Sequence, residues 1–252
     1  MVRPMDDERF IRTRRLLGEE AFQRLQSRLV TVVGLGAVGG HVVEGLVRAG
    51  ITRLRIIDYD TVQPSNLNRQ ILALESTLGR PKAAVAEERI HLINPACQVE
   101  ALQLFAAEET LDLILAPRPD LLIDAIDSLN PKTQLLHGAH AAGIATISSM
   151  GAALRTDPTL IRTGDLFATR RCPLARHLRK RLRRRGAGEG IDCVWSEEEI
   201  DFDYQPPEED EGQGNPYADR GRKRNVLGSL PTITGIFGLT IANMAIMRLS
   251  RP

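Results

Sequence analysis

The sequence contains few cysteines and few aromatic residues, and it carries almost no net charge. Its three cysteines (Cys97, Cys172 and Cys193) are widely spaced, and none belongs to a C-x-x-C pair. We therefore expect neither a disulfide framework nor a zinc ribbon. The first residues, MVRPMDDERF, contain charges and no apolar run, so no secretory signal is expected. Together these absences predict a protein of the reducing cytoplasm.

The formal net charge of +1 conceals strong local segregation of charge. Residues 176–185 (RHLRKRLRRR) include seven Arg or Lys, residues 197–211 include nine acids and no base, and residues 220–224 are basic again. Such blocks are usually solvated loops or helix faces. A basic block can also neutralise RNA phosphates, whereas an aromatic content of 4% argues against extensive base stacking.

Apolar segments of two kinds alternate along the first part of the chain. The pattern predicts strands over 30–33, 54–60, 121–126 and 145–149, and helices over 38–49, 82–93 and 135–142. This alternation predicts an α/β fold: a Rossmann-like, doubly wound, mostly parallel sheet with helices on both faces. We expect a nucleotide-binding domain over 1–155. An extension over 156–252, with a basic helix, an acidic loop and an apolar closing helix, is expected to pack on it.

The closing segment, residues 228–249 (GSLPTITGIFGLTIANMAIMRL), is almost uncharged and long enough to cross a bilayer. Pro231 and Asn243 interrupt its apolar character, and a membrane span favours a longer unbroken apolar run. We therefore expect a buried helix and no membrane association.

Three glycines, Gly34, Gly36 and Gly39, form a G-x-G-x-x-G motif between a predicted strand and a predicted helix. Glycine lets the backbone approach a phosphate, and the N–H groups of a helix start point at the anion. Asp58 follows 19 residues after Gly39, at the end of the second strand, where a carboxylate can bind ribose hydroxyls. These features predict a nucleotide site, and they fit NAD as well as ATP.

Two cations and an acid favour ATP over NAD. Arg69 lies in SNLNRQ, Lys82 in GRPKAAVAEERI, and Asp127 follows a predicted strand. Charge develops on the α-phosphate and on the leaving pyrophosphate during nucleotidyl transfer, so cations and a Mg²⁺ ligand have a role there. A dehydrogenase needs neither. Taken singly, Lys82 could be an ordinary exposed lysine and Asp127 a helix N-cap.

Six motifs in order resemble the E1-like (ThiF-type) adenylating superfamily, which includes ubiquitin-activating enzymes and bacterial sulfur-carrier adenylyltransferases. They are GLGAVGG, IDYD, NLNRQ, RPKAAVAEERI, INP and DAIDS, which lie within residues 34–128, and the resemblance covers roughly residues 9–151. The resemblance implies ATP and Mg²⁺ as cofactors, with Asp127 as the metal ligand. It implies that the nucleotide is bound by Gly34, Gly36, Gly39, Asp58, Asp60, Asn66, Arg69, Gln70 and Lys82.

The resemblance also implies a homodimer. The family has an amino-terminal R-[FY]-x-R motif whose arginine reaches the triphosphate across the dimer interface, and residues 9–12 read RFIR. Arg12 would then act in catalysis with Arg69, Lys82 and Asp127. The alternative is that Arg12 is one more solvated arginine of a basic segment.

The second half resembles the tRNA threonylcarbamoyladenosine dehydratase subfamily. The segments that carry this likeness are TDPTLIRTGDL (156–166), CPLARHLRKRLRR (172–184) and IDCVWSEE (191–198). The subfamily implies ATP-dependent dehydration of N6-threonylcarbamoyladenosine (t6A) at position 37 of tRNA, through adenylation of the threonyl carboxylate and ring closure. It also implies possible sulfur-relay partners. DNA is not expected as a partner.

Two other activities stay open. One is activation of the Gly-Gly terminus of a sulfur-carrier or ubiquitin-like protein, although sulfur-carrier activators generally have the C-x-x-C pairs that are missing here. The other is NAD-dependent oxidoreduction. Within the basic block the residues expected to contact tRNA are Arg179, Lys180, Arg181, Arg183, Arg184 and Arg185, with a purely solvated helix face as the alternative.

Four further side chains have mainly structural interpretations. His137 and His140 have helical spacing that could hold a metal, but helix packing is favoured in LLHGAHAAG. Cys193 is expected to be a small buried apolar residue. Cys172 follows two arginines, which could lower its pKa, although we assign it no catalytic role.

Overall fold

Seven β-strands form one sheet in the computed structural model, which describes residues 8–200 and 227–252. The strands are β1 (Leu29–Val33), β2 (Arg53–Ile57), β3 (Gln98–Leu102), β4 (Leu121–Asp124), β5 (Thr146–Ser149), β6 (Ile161–Asp165) and β7 (Ile191–Ser196). Their order is β3-β2-β1-β4-β5-β7-β6, and all neighbours are parallel except β6 and β7. The predicted α/β fold class is confirmed.

Helices cover both faces of this sheet. In the described ranges they are α1 (Ile11–Leu17), α2 (Glu19–Ser27), α3 (Gly39–Ala49), α4 (Lys82–Ile93), α5 (Leu111–Leu115), α6 (Leu129–Ala141), α7 (Pro173–Arg184) and α8 (Pro231–Leu249). Apolar residues of α2, α3, α4 and α8 form the core on one face. On the other face, α5 and α6 pack over β1, β2 and β4, and α6 and α7 pack over β7.

The first strand, β1, is a β-branched run (LVTVV) whose last four residues are buried. It lies in the middle of the sheet, where Val33 is opposite Ile57 of β2 and Asp124 of β4. Because both pairings are parallel, the residues that follow these strands emerge at one edge of the sheet. That edge therefore collects Gly34, Asp58 and the loop after Asp124.

Helix α6 begins six residues earlier than the helix predicted over 135–142. Ser128 has extended backbone and acts as N-cap, and Pro131 lies in the first turn, where proline is tolerated. The apolar spacing used for the prediction begins only after this turn. A proline near the start therefore hid the part of α6 that lies closest to the ligand edge.

Three strands were not predicted. Strands β3 and β6 lie at the two edges of the sheet, and their sequences (QVEAL and IRTGD) have half-exposed or exposed residues at most positions. Edge strands of this kind lack the continuous apolar run that marks a central strand. Strand β7 (IDCVWS) is almost fully buried beside β5, so the extension adds strands to the same sheet as the first domain.

The apolar closing helix α8 packs along α3. By length and composition it is the one described helix that could cross a membrane, and half of its most apolar window is buried. A Cβ atom on Gly238 would lie 2.5 Å from the carbonyl oxygen of Val38, and one on Gly45 would lie 2.7 Å from the Cβ of Ala242. The two backbones approach so closely that α8 is an integral part of the core.

Candidate functional site

The glycine motif forms a tight turn between β1 and α3. Gly34 has a φ of +91°, and a Cβ there would lie 2.9 Å from the backbone of Ala125. A Cβ on Gly39 would lie 1.7 Å from the carbonyl oxygen of Gly34. Only glycine allows this approach. The N-cap residue of α3, Val38, makes no side-chain capping bond. In the first turn the N–H of Gly40 donates to the carbonyl of Gly36 at 3.0 Å, and the other N–H groups of that turn can face an anion.

A buried cluster of opposite charges lies beside this turn. Asp58 accepts hydrogen bonds from the N–H groups of Leu35 (2.7 Å) and Asp60 (2.9 Å). Lys82 is 4% exposed, and its Nζ lies 3.3 Å from Oδ2 of Asp60. The plain alternative of an exposed Lys82 is therefore wrong. Burial raises the pKa of Asp58, while the charge of Lys82 and the two backbone N–H groups oppose that rise.

The segment SNLNRQ folds over the glycine turn. Asn66 and Gln70 are both 8% exposed, and Asn66 accepts a hydrogen bond from the N–H of Gln63 at 3.1 Å. The amide nitrogen of Gln70 lies 3.8 Å from the position of a Cβ on Gly36. Its Oε1 is buried without a hydrogen-bond partner in the described structure, which fits a pocket that a polar ligand completes.

Arg69 is half-buried and contacts its own loop. Its Nη1 donates to the carbonyl of Ser65 at 2.8 Å and to Oδ1 of Asn68 at 2.7 Å. Asn68 in turn donates to the carbonyl of Ser229, which precedes α8. A guanidinium has five N–H donors, so these two bonds leave others for a phosphate. Asn68, which was not singled out from the sequence, therefore joins Arg69 to the closing segment.

Asp127 is an exposed carboxylate in the loop between β4 and α6. It accepts a hydrogen bond from the hydroxyl of Ser128 at 3.3 Å, and Ser128 rather than Asp127 is the N-cap. No group of three or more potential metal ligands is present among the described residues. Since Mg²⁺ is usually held by one or two carboxylates plus substrate phosphates, a lone Asp127 fits a metal that arrives with ATP.

Arg12 is the one predicted catalytic residue that the structure does not bring to this edge. It is exposed on α1, a helix that packs on α2. Within the described parts of the chain, no hydrogen bond or ion pair joins Arg12 to the pocket. The proposed role from a second subunit stays a prediction.

Two completely buried charges lie beneath the Asp127 loop and were missed from the sequence. They are Asp124 and Lys132, each with 0% exposure. The signal that could have found them is an acid at the end of an apolar strand and a lysine in a largely apolar helix.

The basic helix α7 has a buried apolar side and an exposed cationic side. Leu178 and Leu182 are buried in the core, as their helical spacing predicted. The exposed side presents a continuous, open basic surface, which fits the binding of a nucleic-acid backbone. The residues that form it are Arg176, His177, Arg179, Lys180, Arg183 and Arg184.

Individual residues of α7 differ in how tightly they are held. Arg179 is half-buried and donates to the carbonyl of Thr169 at 2.9 Å. The guanidinium of Arg183 lies 5.2 Å from the centre of the Phe167 ring. Lys180, Arg184 and Arg185 are exposed.

Arg181 connects the basic helix to the nucleotide edge. Its Nη1 donates to Oδ1 of Asn130 at 3.3 Å, and Asn130 lies three positions after Asp127 in the sequence. The basic surface therefore adjoins the predicted metal-binding loop. Of the other charged blocks, only residues 197–200 of the acidic stretch are described, and the basic block 220–224 lies outside the described residues.

The remaining sequence candidates have structural surroundings. His140 lies with Nε2 3.3 Å from the carbonyl oxygen of Glu189, and desolvation lowers the pKa of His137. Cys172 is 4% exposed, and burial raises the pKa of the fully buried Cys193. Neither thiol is accessible to act as a nucleophile.

The model of the ThiF family matches residues 9–252. The chain belongs to the ThiF family. Within the family it is 35% identical to tRNA threonylcarbamoyladenosine dehydratase 2 of Saccharomyces cerevisiae, over 97% of this chain and 58% of that protein. It is 39% identical to the tRNA threonylcarbamoyladenosine dehydratase of Bacillus subtilis, over 75% of this chain and 74% of that protein. The chain thus spans little more than half the length of the yeast relative.

Solved structures place this ThiF-family chain beside the same group. The crystal structure of E. coli tRNA N6-threonylcarbamoyladenosine dehydratase, TcdA, in complex with ATP has a TM-score of 0.83 and 34% identity, and the match covers 96% of this chain and 93% of that chain. By contrast, the sulfur carrier protein adenylyltransferase of Thermus thermophilus is 39% identical over only 49% of this chain. The similarity to dehydratases therefore extends over far more of the chain.

Proposed function

We propose that this protein uses ATP to dehydrate t6A at position 37 of tRNA to cyclic t6A. The observation that carries the proposal is the extent of the dehydratase match. In sequence it covers 97% of the chain for the yeast dehydratase, whereas a sulfur-carrier activator matches 49%. The buried charges beside the glycine turn support ATP as the nucleotide, because they suit a triphosphate.

ATP would lie across the carboxyl edge of the sheet. In the proposed complex the N–H groups at Gly36 and Gly39 face phosphate. Gly34, whose own N–H donates to the carbonyl of Ile57 at 2.8 Å, shapes the turn that lets the phosphate approach. Asp58 and Asp60 accept from the ribose. Further polar contacts come from Asn66, Gln70, Arg69 and Lys82. The unpaired Oε1 of Gln70 supports a polar ligand at this place.

Mg²⁺ and a second subunit complete the proposed site. Asp127 would hold the metal, which supplies charge neutralisation at the phosphates when bound. Arg12, exposed on α1, would reach the triphosphate of the partner subunit in a homodimer. Both assignments follow from the family resemblance.

The proposed reaction has two steps. A carboxylate oxygen of the threonyl group attacks the α-phosphorus of ATP, and pyrophosphate leaves. The ureido nitrogen of the same molecule then attacks the acyl carbon and loses its proton, and AMP leaves with the former carboxylate oxygen. Because both reacting groups belong to one molecule, the effective concentration is on the order of 10⁵ M or more. The buried cysteines are therefore not needed for a thioester.

The tRNA would lie along the exposed side of α7, with its phosphates near Arg179, Lys180, Arg181 and Arg183–Arg185. The contact of Arg181 with Asn130 supports continuity between this surface and the ATP site. We further propose a soluble cytoplasmic enzyme, in which α8 is core, with sulfur-relay proteins as possible partners. DNA and membranes are not proposed as partners.

Nucleoside mass spectrometry tests this function. The purified protein is incubated with t6A-containing tRNA and ATP-Mg²⁺, and the digested tRNA is examined for a nucleoside that has lost one water. Formation of cyclic t6A together with AMP and pyrophosphate is the expected result. Pyrophosphate exchange that requires a Gly-Gly carrier protein and not tRNA would instead establish the adenylyltransferase alternative. Tighter binding of NAD than of ATP-Mg²⁺ would establish the oxidoreductase alternative.

A further inference from the structure

The last residue of β4, Asp124, is a buried carboxylate at the ligand edge. It is 0% exposed and lies between Val33 of β1 and Ser148 of β5. Its Oδ2 accepts from the hydroxyl of Ser148 at 2.6 Å, and its Oδ1 accepts from the N–H of Ile126 at 3.1 Å. A carboxylate so far from water requires a compensating charge.

Lys132 supplies that charge from the first turns of α6. It is also 0% exposed, and its Nζ donates to Oδ2 of Asp124 at 2.6 Å and to the carbonyl of Ile126 at 2.8 Å. Both backbone polar groups of Ile126 are therefore held, the N–H by Asp124 and the carbonyl by Lys132. Asp127 is the next residue.

The same loop is fixed on its other side by the glycine turn. Cβ atoms on Gly34 and Gly39 would lie 2.9 Å and 3.3 Å from atoms of Ala125. The backbone from Ala125 to Asp127 thus lies between the turn that would bind phosphate and the buried Asp124–Lys132 pair. Its position relative to both is determined by packing on one side and by hydrogen bonds on the other.

We infer that Lys132, together with Asp124, is a positioning residue that sets the Asp127 carboxylate for the metal that accompanies ATP. A buried ion pair adds little to stability compared with apolar residues of similar volume, so stability alone is a weak reason for two buried charges here. Because Asp124 binds the N–H of Ile126 and Lys132 binds its carbonyl, the pair fixes the backbone orientation just before Asp127. The inference rests on the proposed function, in which Asp127 is the metal ligand.

The test is a double variant, Asp124→Asn with Lys132→Met, which removes both charges and the bond to the Ile126 carbonyl. Mn²⁺ binding to the ATP-bound protein is measured by electron paramagnetic resonance, and AMP binding without metal is measured by calorimetry. We expect Mn²⁺ to bind about tenfold more weakly or worse, as for other groups that orient metal ligands. AMP affinity should change less than about twofold, because the substitutions leave the proposed contacts with the nucleotide intact.

Arg55→Met is the matched control. Arg55 is another buried cation, 1% exposed, that pairs with Glu100. It donates to the carbonyls of Ile114 in α5 and of Pro117 in the loop after α5. It lies on β2, and its hydrogen bonds in the described structure go to Glu100, Ile114 and Pro117 and not to Ile126. Its loss should lower thermal stability and leave Mn²⁺ affinity unchanged.

Two further variants make every outcome decisive. Asp127→Ala must weaken Mn²⁺ binding; if it does not, the metal assignment of the proposed function and this inference both fail. If Asp127→Ala weakens Mn²⁺ binding and the double variant does not, the inference alone is overturned.

Should the double variant not fold, Ser148→Ala removes one bond to Asp124 while keeping the ion pair. We expect it to weaken Mn²⁺ binding by a few-fold with AMP affinity unchanged, and an unchanged Mn²⁺ affinity would overturn the inference.

Discussion

The nucleotide edge and the basic helix both concentrate charge, but they hold it in opposite ways. At the nucleotide edge Lys82 and Asp58 are buried, and two backbone N–H groups donate to the Asp58 carboxylate. On α7, Lys180 and Arg184 are exposed to solvent. Fixed charges in a dry site stabilise a defined transition state, whereas exposed charges attract a polyanion at a distance and in a salt-dependent way. The arrangement therefore suits chemistry at one region and docking at the other.

The largest effect is expected at the buried region. Lys82→Ala should lower the rate of AMP formation by about 10²–10³, because it removes a fixed cation from the site of developing phosphate charge. Single-turnover kinetics with saturating tRNA measure it, and the loss should be insensitive to salt. Arg80→Ala is the control, since Arg80 lies two residues away and pairs with Glu88 at the surface. A Lys82→Ala rate within about threefold of wild type would refute the buried-cation role.

The second prediction concerns Arg12. If it acts across a homodimer, Arg12→Ala and Asp127→Ala should each be nearly inactive alone. Co-refolded together they should recover about a quarter of the wild-type rate, because half of the random dimers contain one intact site of two. Arg15→Ala, on the same helix, should behave like wild type. No recovery in the mixture would contradict a shared site.

The exposed region should respond less and differently. Lys180→Ala with Arg184→Ala should raise the KM for tRNA about tenfold and reduce the salt dependence of binding by about one unit of slope per residue. The KM for ATP should stay constant. Arg53→Ala removes an exposed cation at the amino end of β2, on the side of the sheet opposite the ligand edge. It should not change the KM for tRNA. If Arg53→Ala raised the KM for tRNA as much as the Lys180 and Arg184 substitutions did, α7 would be only a solvated helix face.

The smallest effects are on stability against pH. Burial raises the pKa of Asp58, so the folded state binds that proton more tightly than the unfolded state. Stability is therefore lost as pH rises from the ordinary aspartate value through the raised one. Asp58→Asn loses one of the two backbone hydrogen bonds at every pH, but it also removes the charge whose burial is unfavourable. Its Tm relative to wild type should therefore rise by about 1–3 °C between about pH 4 and neutral pH. A relative Tm that falls over this range would contradict this assignment.

Glu198 provides the opposite case. Its carboxylate accepts from the N–H groups of Asp157 (2.9 Å) and Thr156 (2.8 Å), which lower its pKa. The contribution of the charged Glu198 to the stability of the fold is present above the ordinary glutamate pKa and is lost as pH falls through the lowered value. Glu198→Gln should therefore lower Tm near neutral pH and change nothing in acid. Differential scanning calorimetry of both variants against pH should give opposite signs.

The sequence was most informative where function depends on local pattern. The spacing of Gly34, Gly36 and Gly39 after a β-branched run reports a turn that only glycine can make, and the turn is present. The end of β2 was placed too late, because Asp58 and Asp60 follow the strand rather than belong to it. The Asp58 side chain accepts from backbone N–H groups, and the Asp60 side chain pairs with Lys82.

Contacts between distant segments could not be predicted. The burial of Lys82 depends on Asp60, 22 residues earlier in the chain, and the pairing of Lys132 depends on where β4 ends under α6. The spacing of apolar residues predicts which face of a helix is buried. It does not predict that a charged residue on that face is buried because an acid after a neighbouring strand pairs with it. Likewise, the sequence places Arg179 among the cations expected to contact tRNA, yet it is half-buried and donates to the carbonyl of Thr169.

The most direct test of adenylation follows an oxygen atom. A t6A-containing tRNA carrying an oxygen isotope label in the threonyl carboxylate is converted with unlabelled ATP, and the products are analysed by mass spectrometry. If the carboxylate attacks the α-phosphorus, one labelled oxygen must appear in the phosphate of AMP for each cyclic t6A formed. Label in inorganic phosphate with ADP as co-product, or unlabelled AMP, would contradict the account.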